Sequence, residues 1–150
     1  MAHIIPEHAD GSALPTTAKL MKILETSPQQ FRDQQIPVIK TPTFHEYLYR
    51  LMEEQDFSVS SLIKYASISK TYIYQFLNGE RIPGRDIILR ICLVMRLKLN
   101  ETQRLLTLAG KSVLYPKIRR DAAILYCIKK KMTLDETNSF LENLGEITLL

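Results

Sequence analysis

Disulfide frameworks, membrane spans and strand patterns are all missing from this sequence of 150 residues. Only two cysteines occur, Cys92 and Cys127, each inside an apolar helical pattern and neither with a metal-ligand neighbour at short spacing. That excludes a disulfide-stapled scaffold and fits a reducing compartment. No run approaches the roughly 18 apolar residues of a membrane span. The first residues, Met-Ala-His-Ile-Ile-Pro-Glu-His, lack the basic start and apolar stretch of a secretory leader. A soluble, cytoplasmic protein with no membrane partner is therefore expected. The histidines, His3, His8 and His45, are scattered, and no Gly-rich phosphate loop, nucleophile elbow or Cys/His ligand cluster is present. Acid pairs such as Glu53-Glu54 and Asp135-Glu136 read as helix-end charges. The expectation is a protein that is not an enzyme and has neither metal nor cofactor. Sustained period-2 alternation is also lacking, and Asn78-Gly79 is flanked by helical patterns rather than by β-branched runs. The fold class expected is all-α.

What is there is helical periodicity. The apolar fraction of 45% suffices for a globular core. Residues 1–43 read as an arm with a short helix from Thr16 or Thr17 to Glu25, carrying Leu20, Ile23 and Leu24 on one side. Pro28, Pro37 and Pro42 punctuate the linker behind it. Thr43 then caps a helix with the apolar stripe Phe44, Leu48, Leu51 and Met52, ending near Asp56. Ser58 caps the next, with Leu62, Ile63 and Ala66 turned inward. Ser69 caps a third, where Ile73, Phe76 and Leu77 fall on one face and Gly79 follows the end. Further helices are expected at about Arg85 to Met95, Asn100 to Ala109, Pro116 to Lys130, and from Thr133 or Asp135 to Gly145.

A repeat is visible at a spacing of 35 residues. Arg85-Asp86 recurs as Arg120-Asp121, Cys92 as Cys127, Leu99-x-Glu101-Thr102 as Leu134-x-Glu136-Thr137, and Leu106 and Gly110 as Leu141 and Gly145. Two similar helix pairs packed on each other are expected, with each cysteine a small buried apolar residue at the same repeat position.

The segment from Val59 to Asn78 reads V-S-S-L-I-K-Y-A-S-I-S-K-T-Y-I-Y-Q-F-L-N, followed by Gly79-Glu80-Arg81-Ile82-Pro83. Two short helices across a tight turn need a small residue nearest their crossing, which Ala66 or Ile63 faces. Ile68 would plug the turn, and Ile73 and Phe76 would anchor the second helix. The free face then carries Lys70, Thr71, Tyr72, Tyr74, Gln75 and Asn78, groups able to reach base edges in a major groove. No acidic side chain occurs from Leu62 to Asn78. Between Ser69 and Lys98, the basic Lys70, Arg81, Arg85, Arg90, Arg96 and Lys98 face only Glu80 and Asp86. That excess suits a polyanion. Lys129-Lys130-Lys131 reads first as a helix C-terminus complementing the dipole and second as a further phosphate contact.

Down to its ending, Asn78-Gly79-x-Arg81-x-Pro83, this run resembles the Cro/C1 (phage repressor-like, XRE-type) helix-turn-helix DNA-binding family. The resemblance covers about Phe44 to Gly110. It implies a lambda-repressor-like five-helix module over residues 44–111, with an N-terminal arm and an extra C-terminal helix pair, residues 112–150, packed on it. It also implies a sequence-specific transcriptional regulator that binds double-stranded DNA and reads the major groove with the helix Ser69–Leu77. By this likeness Ser69, Lys70, Thr71 and Gln75 fall at backbone and base contacts, and Asn78, Arg81 and Arg85 lie near phosphates. Ser67 stands where glycine is frequent in the family's turn, from which a slightly different turn geometry is expected. One recognition helix reads few base pairs, so a homodimer is expected. No ligand-binding domain is evident, so a signal would come from a partner protein, from the N-terminal segment or from the C-terminal pair. The competing expectation is a helical protein-interaction or antitoxin-like adaptor that kept the fold, with Tyr72 and Tyr74 as interface anchors and little or no DNA binding.

Overall fold

In a computed structural model of the chain, residues 17–26 and 41–150 are described. They form eight helices and no strand. These are α1 (Thr17–Thr26), α2 (Phe44–Gln55), α3 (Val59–Ala66), α4 (Lys70–Leu77), α5 (Arg85–Val94), α6 (Leu99–Leu108), α7 (Arg119–Lys129) and α8 (Leu134–Asn143). The chain divides into two compact units, residues 1–41 and 42–150. The first contributes α1 and Thr41 to the described residues. The side chains of Leu20, Ile23 and Leu24, the opening arm and the linker prolines Pro28 and Pro37 lie outside them.

In the second unit, helix starts follow their caps. The Thr43 hydroxyl accepts the Glu46 N–H while the Glu46 carboxylate accepts the Thr43 N–H, and Thr133 and Glu136 do the same ahead of α8. Ser58 and Ser69 accept the N–H groups of Ser61 and Tyr72. Two expected starts are corrected. The helix expected from Asn100 begins at Leu99, because Lys98 stands at the N-cap with its N–H bonded to the Glu101 carboxylate at 2.9 Å. The helix expected from Pro116 begins at Arg119, because the chain ahead of it is held from outside. Gln103 accepts the Leu114 N–H and donates to its carbonyl, and Asp121 accepts the Tyr115 N–H.

One turn recurs four times: a left-handed residue, an inward apolar residue, then the N-cap. It occurs at Asp56-Phe57-Ser58, Ser67-Ile68-Ser69, Arg96-Leu97-Lys98 and Lys131-Met132-Thr133, with φ at the first positions of 53°, 55°, 54° and 56°. A side chain in this conformation costs on the order of 1–2 kcal/mol. At three of the four turns the apolar residue's N–H bonds five residues back, to Met52, Cys92 and Cys127, which closes the preceding helix.

The core is continuous through the second unit. α2 packs on α4 and α6, α3 on α4 and α5, and α5 on α6. The two repeat units then meet reciprocally: α5 of the first packs on α8 of the second, and α7 of the second on α6 of the first. Their charges interlock in the same way. Arg85 forms two bonds to Asp121, the shorter 2.8 Å, and donates to the carbonyls of Ser112 and Val113. Arg120 forms two bonds to Asp86, both 3.0 Å, and donates to the carbonyls of Ile147 and Thr148. Every partner in one set is the repeat equivalent of a partner in the other, so the helix pairs are related by an approximate two-fold. Cys92 and Cys127 are both free and buried. Burial pushes the Cys92 thiol up to about 12 and raises that of Cys127, so both stay neutral.

Candidate nucleic-acid interface

The site begins with why α3 and α4 can cross closely. Leu62 and Ala66 on α3 are fully buried, whereas Ile63 is half-buried, so alanine is the small residue at the contact. Ile68, between the helices, is also buried. Ser67 adopts the left-handed conformation that glycine adopts most cheaply, so the serine is accommodated without losing the tight turn. Arg90, on α5, donates to the carbonyls of Ala66 and Ser67 at 3.2 and 3.3 Å. These carbonyls stand at the negative end of α3, where a cation is favoured.

On α4, Ile73 and Phe76 are buried and fix the helix to the core. At about 100° per residue, the side opposite these two is centred on Thr71, with Tyr74, Gln75 and Asn78 around it and Lys70 and Tyr72 towards its flanks. Lys70, Thr71, Tyr72, Tyr74 and Asn78 are exposed. Gln75 is half-buried, and its side-chain oxygen is buried without a hydrogen-bond partner. Ser69 is engaged as the cap. The face is therefore polar and free of carboxylates along the helix, with Glu80 beyond its end accepting a 3.4 Å bond from the Asn78 amide.

Tyr72 has a structural task. Its ring stacks on Phe76 with centroids 6.1 Å apart, and the Arg81 guanidinium lies 5.2 Å from its centroid. Arg81 is thus held beside α4, and its own N–H bonds back to the Gln75 carbonyl. Gly79 permits this exit from the helix. Its φ is 79°, and a Cβ there would fall 2.7 Å from the His45 ring.

The structure brings Ser69, Lys70, Thr71, Tyr72, Tyr74, Gln75, Asn78 and Arg81 onto one helix and its exit. It does not bring Arg85 to them: that guanidinium is engaged by Asp121 and two carbonyls. Burial by itself would raise the Asp121 carboxyl, but bonds from Arg85 and the Tyr115 N–H, with Arg120 nearby, hold it below the ordinary carboxylate value. The basic run from Lys70 to Lys98 is not one patch either. Arg85 and Arg90 make internal contacts, and Arg96 donates to the Lys131 carbonyl. Arg90 was read only as part of a basic cluster, and its bonds to the end of α3, like the His45–Gly79 contact, escaped the sequence reading. An arginine inside the apolar run Ile87 to Leu93 was the available signal, since a cation among such neighbours needs carbonyl acceptors.

Among the described residues there is no group of three or more His, Cys, Asp or Glu able to hold a metal ion, and no helix long and apolar enough to cross a membrane. No family model, curated protein or solved structure matches the chain.

Proposed function

We propose that this chain is a sequence-specific DNA-binding transcriptional regulator of the Cro/C1 helix-turn-helix kind. The observation that carries the reading is the α3–α4 unit: a tight turn at Ser67, a close crossing at Ala66, and an outward α4 face with amide, hydroxyl and ammonium groups and no carboxylate. α4 enters the major groove. Thr71 and Tyr74 lie at the middle of the contact, Lys70 reaches guanine acceptors, and Gln75 swings outward to pair with adenine. That swing lets the unpartnered Gln75 oxygen accept from the adenine amino group while the Gln75 amide donates to the ring nitrogen. Ser69, Asn78 and Arg81 lie at the phosphates, with Tyr72 holding Arg81 in place. In this reading α2 to α6 form a lambda-repressor-like five-helix module, the α7–α8 pair buttresses it, and the protein acts on cytoplasmic DNA as a homodimer.

Selection of bound sites from random duplex DNA tests this. Enriched sites with two-fold symmetry and half-sites about one helical turn apart are expected. Failure to enrich any sequence overturns the reading.

One observation favours a second reading. Tyr65, Tyr72 and Tyr74 are all exposed on α3 and α4, and exposed aromatic side chains also suit a protein partner. In that case the chain is an adaptor, and retention on a DNA column is absent even at low salt.

A further inference from the structure

We infer that the cavity between the first repeat's hairpin turn and α7 is a binding site for a small amphipathic anion, a molecule with a carboxylate or phosphate head on an apolar body. The cavity holds about 570 Å³, within the range of sites for small organic ligands. Its apolar wall comes from both repeats: Leu93 and Leu97 on one side, Leu125 and Ile128 on the other. Around it stand Arg96, Lys98, Lys129 and Lys131, all exposed, and no acidic residue lines the cavity. None of these four cations is in an ion pair among the described residues. An apolar wall with three lysines outside any ion pair beside it, and Arg96 donating to the Lys131 carbonyl at 2.8 Å, matches an occupant that is apolar along its body and negative at its end.

The two-fold relation between the repeats explains why a space remains there. Leu93 and Arg96 correspond to Ile128 and Lys131. At the equivalent seam, Leu93, Val94 and Arg96 face Thr133 and Leu134, and Phe57, Ser61 and Tyr65 of the α2–α3 hairpin flank it, leaving about 420 Å³ with Asp135 in the wall. No residue of the α2–α3 hairpin lines the larger cavity. Val94 at the flanked seam corresponds to Lys129 at the open one. The exchange puts a cation where the flanked seam has an aliphatic side chain. A macromolecular occupant is less well matched, because the cations surround a space of small-molecule size rather than a flat face.

The site also has a route to α4. Arg96 and Leu93 share α5 and its exit with Arg90, which holds the Ala66 and Ser67 carbonyls. A ligand at this seam acts on the helix that fixes the turn. That consequence rests on the DNA reading above, whereas the binding itself does not.

The calorimetric test uses the full chain without DNA, and the affinity of parent and variant for duplex DNA is measured separately. Decanoate is titrated by calorimetry, with decanol as the neutral counterpart, against the parent and a Lys129→Glu/Lys131→Glu variant, whose altered side chains are exposed. Saturable binding of one decanoate per chain is expected, weakened about tenfold or more in the variant and in decanol, with both proteins unfolding at similar temperatures. Equal binding to parent and variant, equal affinity for decanol, or no saturable binding to the parent overturns the site. A variant that loses affinity for duplex DNA while binding decanoate like the parent assigns these lysines to phosphate contacts and overturns it as well. Loss of DNA binding by the parent, with decanoate binding intact, overturns the DNA reading alone.

Discussion

Gln75 and Arg81 lie within one helix and its exit, yet their positions assign them different work. Gln75 lies half-buried on the side of α4 away from Ile73 and Phe76, whereas Arg81 lies past Gly79, against the Tyr72 ring. Replacing Gln75 or Lys70 by Ala should cost about 1–3 kcal/mol on the best site and relax preference at one or two base positions. Arg81→Ala should weaken binding to all sequences alike and lower the salt slope by about one. Binding measured on a panel of single-base variants separates the two, and a changed preference in Arg81→Ala with none in Gln75→Ala refutes the placement of α4. Arg90 acts at one remove. Arg90→Met keeps the stem in the core but deletes two bonds to the α3 terminus, so a loss of about 1–3 kcal/mol in stability is expected, read by denaturant unfolding. Unchanged stability would show that the turn holds itself.

The reciprocal ion pairs look alike but differ in burial. The Asp121 side chain is 2% exposed and that of Asp86 43%. Asp121→Ala leaves a largely buried Arg85 without its partner and should cost about 3 kcal/mol. Asp86→Ala should cost about 1 kcal/mol or less. The pH dependence follows in sign. Asp121 is held below its ordinary value of 3.8, so its contribution is full above that pH and is lost as pH falls towards the folded value. The stability gap between parent and Asp121→Asn should narrow below about pH 3.8, and a gap independent of pH would contradict the assignment.

At the scale of elements, the turns decide what could be read from the chain. Thr43 was legible as a cap, and the structure decides between Thr133 and Asp135 for the last helix, because a hydroxyl three residues ahead of a carboxylate satisfies two orphan donors locally. The exposed and buried sides of α4 were legible for the same reason: periodicity is local. Pro116 misled because proline suits a first helical turn, while residues 112–115 are fixed by Arg85, Gln103 and Asp121, contacts no local pattern records. Arg85 misled likewise. Its neighbours in sequence suggest a basic surface, and its partner lies 36 residues away. The repeat held the clue, since Arg85-Asp86 and Arg120-Asp121 can neutralise each other only by exchange.

At the scale of the molecule, that exchange joins the last two helices to the rest. α8 packs on α5 and α7 on α6, and Ile124, Cys127 and Leu141 are fully buried. Deleting residues 117–150 strips Arg85 of Asp121 and exposes the apolar sides of α5 and α6. The truncated chain should melt at a lower temperature or aggregate, and a truncation as stable and soluble as the parent would show an independent appendage. The charge of the whole chain, a net +4, is modest, so its partner is decided by where cations are free rather than by how many there are. Lys70 and Arg81 are exposed beside a helix face without carboxylates, and a helix so placed should meet phosphates as it reads bases. The most direct measurement is the affinity of the full chain for duplex DNA against salt concentration. A fall on the order of a thousandfold between about 50 and 200 mM salt is predicted for several phosphate contacts. Binding indifferent to salt, or none at the lowest salt, would contradict the account.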